Sequence, residues 1–467
     1  MLLDPAPLLL DGAPLPGPEQ TLEVRDPRDD SLVGRVPLCA GPQVEAALAA
    51  ARKAAPGWSR TPAAERGAAL KRAARALAAR ADEIAALQSR EGGKPAGDSA
   101  GGVQAGIGTL EQYAELAALH RGRALSGDPE ATDVMRWEAR GVVAVLTPWN
   151  DPVAIVLQGV GAALAAGNAV VLKPSERTPL CGGLVAEILA AELPPGVLSL
   201  LHGDGRTGAA LVAHPDLDAV YHVGSSATGR SIRAAVAATG AHAALEGGGK
   251  DACIVDEGVD PGWAAGQVSV GAFANAGQIC VSVERVYVHA ALAEPFLAAL
   301  VERAKAMEIG PLVDRRQREV VDAHVRAAVE HGATVLCGGT VPEGPGAWYP
   351  PTVLAGCTDD MRVMREETFG PVAAVRVVAG FDEALDAAGR SSYGLAATVL
   401  TPSIAHAQRA ARELAVGTVK VNAVFGGAPG GAATPGRGSG QGFGFGPELL
   451  DELSRCKVVH LEAAVTA

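Results

Sequence analysis

The chain reads as an α/β protein with two successive α/β halves, each carrying a parallel sheet. Three observations predict this. Short charge-free apolar runs alternate with helical segments, and the alternation starts afresh after Gly249. A chain of 467 residues is also too long for one ordinary core.

Taken in order, Thr61-Pro62 has an N-cap and first-turn signature. Leu70, Leu77, Ile84 and Leu87 then recur at near-helical spacing up to Gly92-Gly93, which predicts one long amphipathic surface helix. Residues Val142–Leu146, Ala169–Leu172, Val197–Leu201 and Ala219–Val223 read as buried strands, and the helices between them imply parallel pairing. The uncharged stretch from Val153 to Leu172 is as long as a membrane span, but its glycines, Gln158 and the Gly167-Asn168 pair read as a buried helix with a glycine C-cap, followed by a strand. Beyond Gly249 come strand Ala252–Val255, helix Pro261–Asn275, strand Val283–Val288 and helix Ala291–Met307. Residues Gly426–Gly446 must be loop, because glycine dominates and there is little side chain to bury. Lys457–Leu461 is strand-like, with no obvious hairpin partner.

Composition narrows the function. A formal net charge of −12 opposes binding to a nucleic acid, which needs a basic face. Seven scattered cysteines without a C-x-x-C pair indicate neither a disulfide framework nor a zinc or other metal site. With no basic n-region before Leu8-Leu9-Leu10, no export signal is read, and a reduced, cytoplasmic setting is expected.

Chemistry concentrates in three segments. Cys280 lies in Asn275-Ala-Gly277-Gln278-Ile-Cys280, and a cysteine thiolate attacks carbonyl carbon well. Glu246 lies in Leu245-Glu246-Gly247-Gly248-Gly249-Lys250, and a carboxylate there can deprotonate the water that cleaves a thioester. Asn150, in Thr147-Pro148-Trp149-Asn150-Asp151-Pro152, offers an amide N–H to an oxyanion. A further string, Gly203-Asp-Gly205-Arg-Thr-Gly208, matches G-x-G-x-x-G. The strand after it ends in Tyr221-His222-Val223, without the acidic residue of a standard dinucleotide fingerprint.

The three segments, together with Lys173-Pro174-Ser175-Glu176, Gly224-Ser225-Ser226-Ala227-Thr228-Gly229 and Glu366-Glu367-Thr368-Phe369-Gly370-Pro371, resemble the aldehyde dehydrogenase superfamily in content and order. Taken singly, the Lys173 string also reads as a solvated turn and Gly224–Gly229 as a plain strand-to-helix turn. The resemblance implies an aldehyde dehydrogenase-like fold of two doubly wound domains plus a small oligomerisation β-extension. Residues 1–120 and 140–248 would bind the dinucleotide and 249–437 would carry the nucleophile. Residues 121–139 and 438–467 would form the extension, whose terminal strand joins a neighbouring subunit in a homodimer or homotetramer.

The resemblance also implies the reaction: oxidation of a small-molecule aldehyde through a thiohemiacetal and a thioester on Cys280. Asn150 and the Cys280 N–H would hold the oxyanion, and Glu246 would activate the hydrolytic water. NAD is the implied cofactor, with NADP as an alternative. Its pyrophosphate would lie at Gly224-Ser225, its adenine beside Gly205, and its adenosine ribose on Lys173 and Glu176. Glu367 and Phe369 would take the nicotinamide ribose and ring, with Trp149 and Gly248 completing the set. Glu176 would repel a 2′-phosphate and so favour NAD.

Three departures bear on substrate. Gly159 stands where the family commonly has Lys, and Gln158 where several semialdehyde-oxidising members have Arg. The C-terminal loop aligns convincingly only at Ser439-Gly440, which leaves Arg437 as a candidate cation for a substrate carboxylate. A neutral aldehyde is therefore expected over a semialdehyde. The competing readings are an NADP-dependent semialdehyde dehydrogenase, an inactive homologue, and a cofactor-free thiol hydrolase or transferase, although no histidine falls within either catalytic motif.

Overall fold

The computed structural model describes residues 4–427 and 431–464. Five strands form the core of the first sheet: β1 (Val142–Leu146), β2 (Ala169–Lys173), β3 (Leu198–Leu200), β4 (Ala219–Val223) and β5 (His242–Glu246). They run parallel in the order β3-β2-β1-β4-β5, the doubly wound arrangement whose order reverses beside β1. Alternate residues bury on opposite faces. Val143, Val145, Val170 and Leu172 pack into one apolar cluster, and Val142, Ala144, Ala169 and Val171 into another. Burial on both sides explains why these strands read as unbroken apolar runs.

The charge-free stretch resolves as predicted into a helix, α1 (Pro152–Ala165), followed by a turn through Gly167 at φ +92° and then β2. Among the described residues no helix is long and apolar enough to cross a membrane. The helix expected to start at Thr61-Pro62 is different. Two helices, Ala63–Ala78 and Ala81–Gly92, replace the single one, and they break where Arg80 takes φ −118°, ψ 17° and ion-pairs with Glu83 in the next first turn. Thr61 does not cap the new helix. It closes a preceding helix, Gly41–Arg60, with its hydroxyl donating to the Gly57 carbonyl at 3.2 Å. Leu70, Leu77, Ile84 and Leu87 all bury in the core, so the apolar spacing was sound and only its continuity was not.

Four residues after β5 the second sheet begins, with β6 (Asp251–Val255), β7 (Val283–His289), β8 (Thr352–Ala355), β9 (Val372–Val378), β10 (Ala396–Leu400) and β11 (Thr418–Val421). These are parallel in the order β8-β9-β7-β6-β10-β11, with Thr334–Cys337 added antiparallel at the β8 edge.

The chain then returns to the first sheet. Gly440–Gln441 pairs antiparallel with the end of β5, and a short helix, Glu448–Glu452, sets Leu449 and Leu450 into the first core. Loop covers most of Gly426–Gly446, apart from this bridge and Gly436–Arg437, which pairs with Tyr393–Gly394; residues 428–430 fall outside those described. The terminal strand, Ser454–Leu461, does have a partner within the chain: it pairs along eight residues with Thr132–Ala139, which also pairs with Arg123–Leu125. The sequence hid this pairing because more than three hundred residues separate the partners.

Candidate active site

A cleft of about 810 Å³ opens between the two sheets. It joins opposite ends of them. Lys173 closes β2, Glu246 closes β5, Thr147–Asn150 follows β1 and Gly224 follows β4, so the first sheet presents its C-terminal edge. Gly247–Lys250, Cys280–Ser282 and Glu366–Pro371 instead lead into β6, β7 and β9, so the second sheet presents its N-terminal edge. The four residues between β5 and β6 are what permit this: the chain crosses from one edge to the other in the shortest link between the halves.

Cys280 lines this cleft beside Trp149, Asn150, Gly248, Glu367 and Phe369. Its approach is an unusual piece of backbone. Asn275, Ala276 and Gly277 are three consecutive residues in the left-handed region, at φ +50°, +54° and +72°. Only glycine adopts that conformation freely, so side-chain hydrogen bonds must hold the turn. Asn275 Nδ2 donates to the carbonyls of Asn150 and Gln278, and Gln278 Nε2 donates to the Asn275 carbonyl at 2.9 Å. Gln278 Oε1 meanwhile accepts from Val313 N–H at 2.9 Å. Asn150 Nδ2 donates to the Gln278 carbonyl at 3.1 Å, which leaves its second amide hydrogen uncommitted.

The glycines around the site admit protein rather than ligand. A Cβ on Gly277 would meet the Gly370 carbonyl oxygen at 2.1 Å, one on Gly248 the Glu367 carboxylate at 2.1 Å, and one on Gly249 the Cys280 carbonyl oxygen at 2.6 Å. Each absent side chain lets one loop of the cleft close onto another.

Electrostatics separate the thiol from the carboxyl. Burial pushes Cys280 well above the ordinary thiol range, and the charges of Glu246, Asp251 and Glu367 push the same way. In the protein alone, the surroundings of Cys280 therefore favour the neutral thiol. Burial lifts Glu246 to about 7, which suits proton transfer near neutrality. Glu367 is raised too, by burial and by the neighbouring Glu284 charge, although its Oε1 accepts from Gly249 N–H at 3.1 Å.

At the other end of the cleft, Lys173 is buried and its ammonium donates to the carbonyls of Pro174 and Gly203 at 3.0 and 2.8 Å, with burial lowering its pKa. Glu176, Gly205, Gly208, Gly224 and Ser225 line the wall around it. The G-x-G-x-x-G string forms the start of helix α2 (Gly205–Val212), capped by Asp204 accepting from Arg206 N–H. Ser225 caps helix α3 (Ser226–Thr239), accepting from Thr228 N–H at 3.2 Å. Across the mouth, Arg177 pairs with Asp314 at 3.3 Å and lies 5.2 Å from the Trp149 ring, whose edge packs on Phe369.

The catalytic and cofactor residues the sequence singled out all line this cleft except Glu246, which precedes the lining residue Gly247 and whose charge acts on Cys280. The sequence missed Tyr221, Gln278, Glu284 and Gln317, each of which bonds to a distant segment. It also offered Arg437 as a cation for the entrance. In the structure the Arg437 guanidinium donates to the carbonyls of Gly389 and Ser391 and borders a separate small cavity, so it does not face the cleft. Gln158 is likewise engaged, donating to Tyr221 Oη at 2.6 Å and to the Gly444 carbonyl. Among the described residues no group of three or more His, Cys, Asp or Glu is placed to hold a metal ion.

Comparison with known proteins places this geometry. Residues 15–459 match the aldehyde dehydrogenase family model. The chain is 37% identical over 425 residues to a 2-hydroxymuconic semialdehyde dehydrogenase of Pseudomonas putida, covering 85% of this chain and 87% of that one. A solved 3,6-anhydro-L-galactose dehydrogenase in complex with NAP, that is NADP, superposes with a TM-score of 0.94 at 32% identity, covering 98% of this chain and 99% of the other. The solved structure of PnpE in complex with nicotinamide adenine dinucleotide gives 0.95 at 32% identity, covering 99% and 98%.

Proposed function

Since the chain belongs to the aldehyde dehydrogenase family and is thus an NAD(P)-dependent oxidoreductase acting on aldehydes, we propose that it works by covalent catalysis on Cys280, with Asn150 as oxyanion donor and Glu246 as general base. One observation carries this reading: the Cys280 thiol and the Asn150 amide with its free N–H line a single cleft, and Glu246, raised to about 7, stands next to the lining residue Gly247 with its charge acting on Cys280.

The cleft suits a dinucleotide. It is long enough to run from α2 and α3 to Cys280, and its wall is open at Gly205, where a Cβ would meet nothing within 4 Å. Ser225 and the first turn of α3 would face the pyrophosphate, with free N–H groups and a favourable dipole. Glu176 would accept from the adenosine ribose, Lys173 would stiffen that corner, and Glu367, Phe369 and Trp149 would seat the nicotinamide end. When bound, the cofactor supplies a hydride acceptor and a positive charge beside the thiol.

The protein's own groups do the rest. The Cys280 thiol gives up its proton to solvent water in the cleft and the sulfur bonds to the aldehyde carbon. The carbonyl electron pair moves to oxygen, where Asn150 Nδ2–H and the Cys280 N–H hold it. Loss of hydride from that carbon leaves a thioester. Glu246 takes a proton from water, the hydroxide adds to the thioester carbon, the C–S bond breaks, and a carboxylic acid leaves.

Cys280→Ala removes the atom that bonds to substrate, and a loss of at least about 10³-fold in NADH production is expected. Glu246→Gln should leave a first burst of NADH but slow steady turnover, with acylated Cys280 found by mass spectrometry. Wild-type rates in Cys280→Ala end the covalent reading. Full steady turnover in Glu246→Gln, with neither burst nor adduct, assigns the base elsewhere.

The sheet of Ser454–Leu461, Thr132–Ala139 and Arg123–Leu125 supports assembly into homo-oligomers. It leaves Leu125, Val458 and Leu461 exposed at 40%, 60% and 59%.

A further inference from the structure

We propose that Glu284 is a positioning residue for the cofactor, and that with Lys250 as its counter-ion it sets the loop carrying Glu367 and Phe369 into the shape that receives the nicotinamide end. The inference rests on the cofactor reading given above.

Phe369 stands at φ +50°, where a residue with a side chain does not settle unaided. Its ring nevertheless lines the cleft and packs edge-on against Trp149, with centroids 5.1 Å apart. The conformation has a visible cause. Glu284, on β7 and 3% exposed, accepts from two successive backbone N–H groups, Thr368 to Oε2 and Phe369 to Oε1, both at 2.8 Å. Successive amides converging on one carboxylate make an anion-binding concavity, here filled from within the protein. Charge-assisted bonds of this kind are among the stronger ones.

The carboxylate is itself held. Lys250, buried at the mouth of β6, donates from Nζ to Glu284 Oε2 and to Thr368 Oγ1, the latter at 3.1 Å. Helix α4 (Arg315–Glu330) grips the same two residues from the other side. Gln317 Nε2 donates to the carbonyls of Thr368 and Phe369 at 3.1 Å each, and His324 Nδ1 lies 3.1 Å from Thr368 Oγ1.

Lys250 follows Gly249, whose N–H is bonded to Glu367. Three catalytic loops are thus referred to one buried ion pair: Glu284 lies four residues after Cys280, Lys250 four after Glu246, and Thr368-Phe369 next to Glu367. A buried ion pair is a poor way to add stability, since desolvation offsets most of the attraction. As a fixed reference it is effective, because both ions lose much if either moves. Glu284 and Lys250 do not line the cleft, so their effect should appear through the loop they hold, as cofactor affinity.

The test uses the full-length protein, with aldehyde added only to measure its KM. In the wild-type protein, hydrogen exchange should find the Thr368 and Phe369 amides as protected as those of β7, and NADH fluorescence titration should give a dissociation constant. In Glu284→Gln the two amides lose one acceptor and all of its charge. Their exchange should quicken by about a hundredfold and the NADH dissociation constant should rise by roughly tenfold, while KM for aldehyde stays within about twofold. Should Glu284→Gln fail to fold with Lys250 left unpaired, Glu284→Gln combined with Lys250→Met buries no ion and carries the same expectation.

Unprotected Thr368 and Phe369 amides in the wild-type protein overturn the proposal before any variant is made. So does a folded variant whose NADH affinity equals the wild type's. Absence of NADH binding to the wild-type protein is a different result, and sinks the cofactor reading itself.

Discussion

The Glu246 carboxylate rests against the backbone of Gly444: a Cβ there would lie 2.3 Å from Glu246 Oε2. The C-terminal return thus reaches the proposed general base directly. The Gly444 carbonyl is fixed in turn by Tyr221 Oη at 3.1 Å and by Gln158 Nε2. The Tyr221 ring fills the space where a side chain on Gly159 would start, 2.4 Å from its Cδ1. Two glycines and one tyrosine therefore shape the wall behind Glu246.

From this contact, Gly444→Ala is expected to displace Glu246 while leaving Cys280 free to react. Steady turnover should fall by about tenfold or more, and the initial burst of NADH should survive. Rapid-mixing kinetics separate the two phases. Unchanged steady turnover means that Glu246 has room to work elsewhere.

Burial of Glu246 gives a pH dependence whose sign can be worked out. With its pKa lifted from 4.5 to about 7, the base is ionised only above about 7, so thioester hydrolysis should accelerate as pH rises through that value. Stability runs the other way. Between about 4.5 and about 7 the folded state keeps a proton that the unfolded chain has released, so the stability this carboxyl contributes is present at the acid end and lost towards 7. Glu246→Gln removes the titration. Its Tm advantage over the wild type should be greatest above pH 7 and shrink towards 4.5, as differential scanning calorimetry can follow. An advantage independent of pH would mean that Glu246 keeps an ordinary pKa.

Much of this was legible in the chain, and what was not has identifiable causes. The strands beside the cleft are buried on both faces, so they announce themselves as apolar runs, and Asn150, Glu246 and Cys280 sit in motifs at their ends. The break at Ala79-Arg80 left no trace, because either side keeps helical apolar spacing and neither glycine nor proline marks it. Glu284 looked like an ordinary strand residue, since its meaning lies in the Thr368 and Phe369 amides some eighty residues later. The neutral state favoured at Cys280 was equally hidden: it comes from burial and from three carboxylates on three other segments.

Cofactor choice should follow Glu176. Its carboxylate lies in the wall of the cleft, 4.0 Å from the exposed Arg316 guanidinium, and Arg177 is next to it in the chain. A 2′-phosphate would meet the carboxylate first. Repulsion on the order of 1–2 kcal/mol in a partly solvated cleft corresponds to roughly tenfold in kcat/KM favouring NAD. Glu176→Gln removes the repulsion and leaves both arginines, so the ratio should narrow to about unity or reverse. Equal use of the two cofactors by the wild-type enzyme would show that Arg316 already neutralises Glu176.

Substrate charge should be decided by the missing cation. Gln158 spends its amide on Tyr221 and Gly444, and Arg437 is held away by Gly389 and Ser391. Of the lysines and arginines that line the cleft, Lys173 lies at its adenosine end on backbone carbonyls, and Arg177, over the Trp149 ring, is paired with Asp314. Lys420, whose charge reaches Cys280, stands outside the cleft lining and is engaged by the Val424 carbonyl and the Asp251 charge. A substrate carboxylate carried to Cys280 would thus be desolvated without a free partner, near Glu246, Asp251 and Glu367. That costs several kcal/mol, or about a hundredfold or more in kcat/KM. Butanal should therefore outperform succinate semialdehyde by about that factor. The relative from Pseudomonas putida is a semialdehyde dehydrogenase, which makes the comparison decisive. Preference for succinate semialdehyde would require a cation reaching the Cys280 end of the cleft from elsewhere, and arginine-to-alanine substitutions along the C-terminal return would then locate it.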